Sequence, residues 1–379
     1  MGVDVKSEGS MRMLIESNRT TSPHSLVCRP LTTTMTAINE SRQVCPAYPV
    51  DYIKQYYLPT MYGIIFIVGL IGNITAIVIY VVKIRPLTSS CIIMLNLAMA
   101  DLLYILSLPF LVHFYITEDW VLGEFMCRLV RFCFHFNLYG SILLLTCLSA
   151  FRYVAVVHPL RAAQVKTQSW GIVSCLVMWL LCLIGIVPMF SLIGTELQNY
   201  TDSKTVCIDF ASNKICQVWL YNWILSAFGF LVPLFVVCLS YTCVARALSK
   251  GPLPHRRAQV HARRLTVLIL LVFVVCFTPY HFLRFARIHT RSTNSSTPPS
   301  CPLALEAGVH AAYTISRPLA GLNTFFNLAL YTMAGERFQQ AFWSLFHWKT
   351  SLPRNISLSL EAATIFRPRG QSFNDLLQS

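Results

Sequence analysis

The sequence predicts an all-α membrane protein: a bundle of seven transmembrane helices followed by a short amphipathic cytoplasmic helix. Three observations carry this. Seven apolar segments each approach or exceed the roughly 20 residues that a spanning helix needs. Hydrophobic residues make up 55% of the 379 and charged residues 12%, about half the charge density of a soluble globular chain. Lys and Arg gather in alternate connections between the segments, the pattern of basic loops held on the cytoplasmic side. The net charge of +14 is accounted for by those loops, and no nucleic-acid partner is expected.

Residues 1–55 read as an extracellular, glycosylated tail, polar and rich in Ser and Thr, without the apolar core of a cleavable leader. Asn18 and Asn39 open N-glycosylation triplets, and Cys45 lies just before the first span. The seven-span bundle occupies 56–333, with apolar segments at roughly 57–82, 91–115, 125–157, 169–193, 218–246, 261–288 and 306–332. The seventh is the least apolar, because Glu306, His310, Arg317 and Asn327 fall within it. Loops 83–90, 157–168 and 246–264 carry Lys or Arg and no acid; the opposite loops carry Glu118, Asp119, Glu124, Glu196, Asp202 and Asp209. That asymmetry places the amino terminus outside and the carboxyl terminus inside, on the two sides of a membrane crossed many times. Asn18, Asn39, Asn199 and Asn294 then fall on the glycosylated side.

Within 334–347, Phe338, Phe342, Leu345 and Phe346 recur at i, i+4, i+7 and i+8, the spacing of an amphipathic helix lying against lipid headgroups. Residues 348–379 read as a disordered cytoplasmic tail bearing Ser351, Ser357, Ser359 and Ser372, candidate phosphorylation sites.

Ionisable residues inside the spans are the functional signal, since each costs several kcal/mol unless it meets a partner or water. Arg131 and His135 are i, i+4 on the third segment, with Tyr139 one turn further in. His281 and Arg284 are i, i+3 on the sixth, beyond Pro279, and Arg317 lies about 15 Å along the seventh from Asn327 by helical rise. These helix stretches hold no acid to neutralise the cations, so the cluster calls for an anion, which Arg grips by paired hydrogen bonds. Snorkelling or pairing with a loop acid suits Arg128 and Arg287 near the rim, and suits Arg131 and Arg317 poorly. Asp101 is a carboxylate in mid-membrane and needs a partner of its own.

Over about 55–347 the chain resembles the class A (rhodopsin-like) G-protein-coupled receptors. The resemblance rests on Asn73; Leu97, Ala98 and Asp101; Cys127, Arg152 and Tyr153; Trp179; Pro233 and Tyr241; Phe277 and Pro279; and Asn327 and Tyr331, at least one in every span. It implies a disulfide between Cys127 and Cys207, and a second between Cys45 and Cys301 as in the nucleotide-receptor-like branch, with free thiols as the alternative for that second pair. A sodium ion at Asp101, held with Ser141, Asn323 and Asn327, is implied as well; a water-bridged hydrogen-bond knot is its alternative. No other cofactor is expected. Coupling to a heterotrimeric G protein falls by resemblance to Arg152, Tyr153, Tyr241, Phe277, Pro279, Asn327 and Tyr331, with arrestin, receptor kinases and membrane lipid as further partners. Two departures bear on switching: Phe151 stands where the family has an acid before the Arg, and Leu328 where it has Pro.

The runs Phe132–Tyr139, His281–Arg284 and Ser316–Ala320 are similar to those of dicarboxylate-binding members of that branch. The likeness implies a small dicarboxylate, 2-oxoglutarate before others, shared among Arg131, Arg284 and Arg317, with His135, Tyr139, Tyr115 and His281 around it, and a G protein of the Gq type. A nucleotide or an acidic lipid such as a leukotriene fits the same cations. An anion transporter would use similar arginines, but the two halves show no internal repeat. A retinal-type pump needs a Lys in the seventh span, where there is none, and no nucleophile–base constellation suggests an enzyme.

Overall fold

A computed structural model describes residues 11–14, 27–30, 49–197, 204–212, 215–250, 256–294, 304–333 and 336–346. Six helices are long and apolar enough to cross a membrane: α1 (Val50–Lys83), α2 (Ser89–Thr117), α3 (Gly123–Val157), α4 (Gln168–Leu192), α5 (Val218–Ser249) and α6 (Arg263–Ser292). The seventh, α7, is built from Ala304–Gly321 and Asn323–Met333 and is interrupted at Leu322. Its polar load keeps it below the hydropathy of the others, as its sequence foretells. The chain is a seven-helix bundle that spans a membrane several times. A last helix, α8 (Glu336–Phe346), seats Phe338 against Tyr80 of α1 with ring centroids 5.1 Å apart.

The arrangement is apolar outside and polar at its centre. Leu176, Leu180, Ile184 and Val187 on α4 are each more than half exposed, which only a lipid environment tolerates on that scale. Asn73, Asp101, Ser141, Asn323 and Asn327 are fully buried. The central shaft is α3, which packs on α2, α4, α5 and α6 and touches α7. Gly140 lets α4 approach it: a Cβ there would stand 2.8 Å from the ring of Trp179. That ring stacks on Phe136 at 4.7 Å and donates its Nε1–H to Asn96 Oδ1 at 3.0 Å, joining α2, α3 and α4.

Prolines shape the spans. Wide π turns at Ala227–Leu231 and Phe273–Phe277 lie just before Pro233 and Pro279, where the ring removes a donor and crowds the carbonyl four residues back. The Thr278 hydroxyl donates to the Phe273 carbonyl at 2.9 Å, beside the Thr278 backbone N–H that closes the wide turn on the same oxygen.

Between α4 and α5, strands β1 (Thr195–Leu197) and β2 (Thr205–Cys207) pair antiparallel, Glu196 opposite Val206. A separate antiparallel pairing joins Met11–Leu14 to Val27–Pro30. The predicted Cys127–Cys207 disulfide is present, with Cα atoms 5.6 Å apart across a separation of 80 residues. In the chain-entropy model such a closure stabilises by about 4.5 kcal/mol. Thr205 N–H donates to Asp119 Oδ1 at 2.9 Å, and Trp120 N–H to the Thr205 carbonyl at 2.8 Å. At the other side, Arg291 of α6 donates to the Ala211 carbonyl at 2.7 Å. The stretch 205–211 is thus a strap across the Cys127 end of the bundle.

Candidate ligand-binding site and switch residues

At the Cys127 end lies a cavity of about 410 Å³, bordered by Lys54, Tyr115, Arg131, Asp209, His310 and Arg317 among others. Its floor is organised around one phenol. Arg131 Nη1 and Nη2 donate to Tyr115 Oη at 3.4 and 3.3 Å, and Arg317 Nη1 donates to the same oxygen at 3.2 Å. Two like charges are thereby held side by side in a buried setting, Arg131 4% and Arg317 6% exposed.

An acid meets them. Asp209 Oδ2 accepts from Arg317 Nη2 at 3.0 Å and from the Tyr313 hydroxyl at 2.6 Å. Burial on its own would raise this carboxyl, but Arg317, then Arg131, and the Tyr313 hydrogen bond hold it far below the usual carboxylate range. The expectation that no acid neutralises the cluster is therefore corrected for Arg317. The helices themselves supply no acid, but the strap does, because Asp209 stands two residues beyond the disulfide that ties it to α3. Arg131 differs: it donates to neutral oxygens, those of Tyr115 and the Cys207 carbonyl (3.0 Å), and its Nε has no partner among the described residues. Near the rim, Arg128 pairs with Glu124 on its own helix, and Arg287 with Glu306 at 2.8 Å.

The other expected contacts form a second, sealed layer. Arg284 is fully buried and does not border the cavity. Its Nη1 donates to Tyr139 Oη at 2.5 Å and its Nη2 to Ser226 Oγ at 3.2 Å, with His281 Nδ1 at 3.3 Å. The rings of Tyr280 and Phe210 flank the guanidinium at 5.6 and 6.0 Å, within cation–π range. Gly229 at the α5 π turn makes room for Tyr139, since a Cβ would stand 2.7 Å from its ring. Between the layers lies His135, whose Nδ1–H donates to the Arg131 carbonyl at 2.9 Å and whose ring meets Phe210 edge-on at 6.2 Å. Its Nε2 has no partner among the described residues, and neither does His281 Nε2.

Deeper still, Asp101 Oδ1 accepts from Asn137 Nδ2 at 2.7 Å and Oδ2 from Asn327 Nδ2 at 2.8 Å. Ser141 Oγ, Asn323 Oδ1 and Asn327 Oδ1 are buried without a hydrogen-bond partner among the described residues. Oxygen ligands left unsatisfied beside a carboxylate are what a hard cation takes up, so the residues fit a sodium ion. Asn73 instead donates to the Gly69 carbonyl at 2.9 Å. At the far end, Tyr153 Oη lies 3.3 Å from His158 Nε2, Arg152 is half-buried, and Tyr331 packs edge-on against Tyr80 at 5.9 Å. Phe277 is fully buried and stacks edge-on against Phe273; Tyr241 is partly buried on α5.

Residues not foreseen from sequence are Asp209, Tyr313, Asn137, Lys54, His310 and Phe210. Two had a local signal: Tyr313 is i−4 from Arg317, and Asn137 is i−4 from Ser141. Asn18, Asn39, Asn199, Cys45, Cys301 and the Ser-bearing tail lie outside the described residues, while Asn294 closes the helix Thr278–Asn294.

Residues 72–331 match the family described as 7 transmembrane receptor (rhodopsin family). The chain is 46% identical over 300 residues to 2-oxoglutarate receptor 1 of Mus musculus, covering 79% of this chain and 86% of that one. With 2-oxoglutarate receptor 1 of Rattus norvegicus it shares 47% over 293 residues, 77% and 84% of the two chains. A purinoceptor of Bos taurus is 37% identical over 292 residues, 75% and 76% of the two chains. A seven-helix bundle with a strap tied to α3, and a family match over most of its length, lead to one conclusion: the chain belongs to the rhodopsin family of seven-transmembrane receptors.

Proposed function

We propose that this receptor sits in the plasma membrane with its Cys127 end outside, binds a small dicarboxylate, 2-oxoglutarate first, and activates a heterotrimeric G protein of the Gq type. The observation that carries the ligand class is Asp209: a carboxylate already rests between Arg317 and Tyr313 at the cavity edge, beside an Arg131 that has only neutral acceptors among the described residues. The site takes one carboxylate and keeps charge for another. Likeness to two proteins named 2-oxoglutarate receptor 1 supports the choice of diacid. Orientation rests on the basic connections, which would face the G protein together with Arg152, Tyr153 and Tyr241. Ligand binding would favour a state in which α6 swings about Pro279, with Phe277, Asn327 and Tyr331 repacking. The sealed layer of Arg284, Tyr139, His281 and His135 lies between the cavity and that hinge and would transmit the change. In the same reading Asn18, Asn39, Asn199 and Asn294 carry glycans, Cys45 pairs with Cys301, and the phosphorylated tail recruits arrestin.

The test is calcium mobilisation in transfected cells. Wild type responds to 2-oxoglutarate, whereas Arg131→Ala and Arg317→Ala lose the response at equal surface expression. An unchanged response in both variants defeats the assignment. Because purinoceptors are also relatives, an adenine nucleotide belongs in the same panel, and a response to it alone establishes the nucleotide reading instead.

A further inference from the structure

We infer that Lys54 of α1 and His310 of α7 form the subsite for the ligand's second carboxylate, so that the diacid bridges Arg131 and Lys54. Resting on the dicarboxylate reading above, the subsite follows from the bonding of the cations around the cavity. Arg317 is bound to Asp209, and Arg284 is sealed against Tyr139, Ser226 and His281 and borders no part of the cavity. Two cavity-lining cations remain under-neutralised among the described residues. One is Arg131, which donates to neutral oxygens. The other is Lys54, whose acidic neighbour Asp51 stands at 4.0 Å with a side chain 70% exposed. Such a solvated pair contributes little and exchanges readily.

Lys54 and His310 also border a smaller cavity of about 150 Å³ that includes the Arg287–Glu306 pair, so both stand on the boundary between the two spaces. Tyr57, one turn from Lys54, donates to the Ile315 carbonyl at 3.3 Å and fixes α1 against α7 at this level. His310 precedes Arg317 by seven residues, two turns along the same helix face, or about 10 Å by rise. The two carboxylate carbons of an extended five-carbon diacid are about 5 Å apart, from four staggered C–C bonds. Arg131 shares the Tyr115 oxygen with Arg317 and so stands at the same level, while Lys54 and His310 border the same cavity and Lys54 lies within electrostatic range of Arg317 and Arg287. Three acids also border the cavity: Asp209 is bound to Arg317, and Asp51 and Glu118 have side chains 70% and 57% exposed, where water screens them. An anion at Lys54 relieves repulsion among the buried cations and needs no change in the sealed layer.

The experiment compares 2-oxoglutarate with its two monomethyl esters on wild type, Lys54→Gln, Lys54→Met and Lys54→Arg, with surface expression measured in each. Wild type should prefer the diacid over each ester by about 10- to 100-fold, the range for a charge-assisted hydrogen bond. In Lys54→Gln the diacid should weaken by that factor to match one ester, whose own potency is unchanged, and Lys54→Arg should restore the preference. A responsive wild type whose preference survives in Lys54→Gln overturns the subsite alone. If Lys54→Gln fails to reach the surface, Lys54→Met decides in its place: equal potencies of the diacid and one ester support the subsite, and a surviving preference for the diacid over both overturns it. A wild type silent to 2-oxoglutarate overturns the ligand reading, and the subsite with it.

Discussion

Replacing Asp209 with Asn isolates the contribution of the strap. Asparagine keeps the shape and can still accept from Tyr313, but removes the only charge paired with Arg317 among the described residues. The Asp209 and Arg317 side chains are 5% and 7% exposed, so water screens the guanidinium that remains only from the cavity side. Removing one partner of a buried pair costs about 3–5 kcal/mol, and Arg131, sharing Tyr115 with Arg317, adds repulsion that the carboxylate now offsets. At a few degrees per kcal/mol for a large domain, the midpoint should fall by on the order of 10 °C. A thiol-reactive fluorophore reads this directly, because the free cysteines Cys147, Cys175, Cys182 and Cys276 are buried until the bundle opens. The double variant Asp209→Asn, Arg317→Gln should recover much of the loss, since no lone buried charge remains. Added 2-oxoglutarate should raise the midpoint of Asp209→Asn more than that of wild type. The pH dependence has a definite sign. A carboxyl held low in the folded state stabilises above its unfolded pKa and loses that effect as pH falls through the folded value. The pair should therefore hold between pH 5 and 8. A midpoint for Asp209→Asn equal to wild type, or strictly additive losses in the double variant, refutes this account.

Two further outcomes follow from the interior. If sodium occupies the Asp101 pocket, replacing sodium with a bulky organic cation should change agonist potency several-fold in wild type and not at all in Asp101→Asn, read by ligand displacement. Gly229→Ala places a methyl 2.7 Å from the Tyr139 ring, an overpacking that costs about 1–3 kcal/mol. It should weaken signalling as Tyr139→Phe does, because both disturb the Tyr139–Arg284 bond; normal signalling in either variant argues against a transmitting role for that layer.

The helical architecture was legible because hydropathy and helical period are local properties. The Cys127–Cys207 disulfide was reached by resemblance and is present. Proline effects were partly legible: Pro279 marked a kink, but the π turns that accommodate it and Pro233 depend on backbone adjustment that residue identities do not encode. Within the site, helical spacing grouped Arg131 with His135 and His281 with Arg284, and both pairs do share faces. It could not rank them by depth, because depth depends on how each helix is rotated against its neighbours.

Alone, then, the sequence determined a seven-span membrane protein with cations clustered toward one end of the spans, since length, apolarity and the scarcity of acid within the spans all constrain the chain locally; the receptor family entered by resemblance. Only the tertiary structure decided which cations meet the cavity. The contacts that settle it join residues far apart in the chain: Arg317 with Asp209 across 108 positions, and Arg284 with Tyr139 across 145. One exposes a carboxylate-ready edge and the other seals an arginine away. Both follow from the path of a strap and the packing of five helices on α3, which no stretch of the sequence specifies by itself.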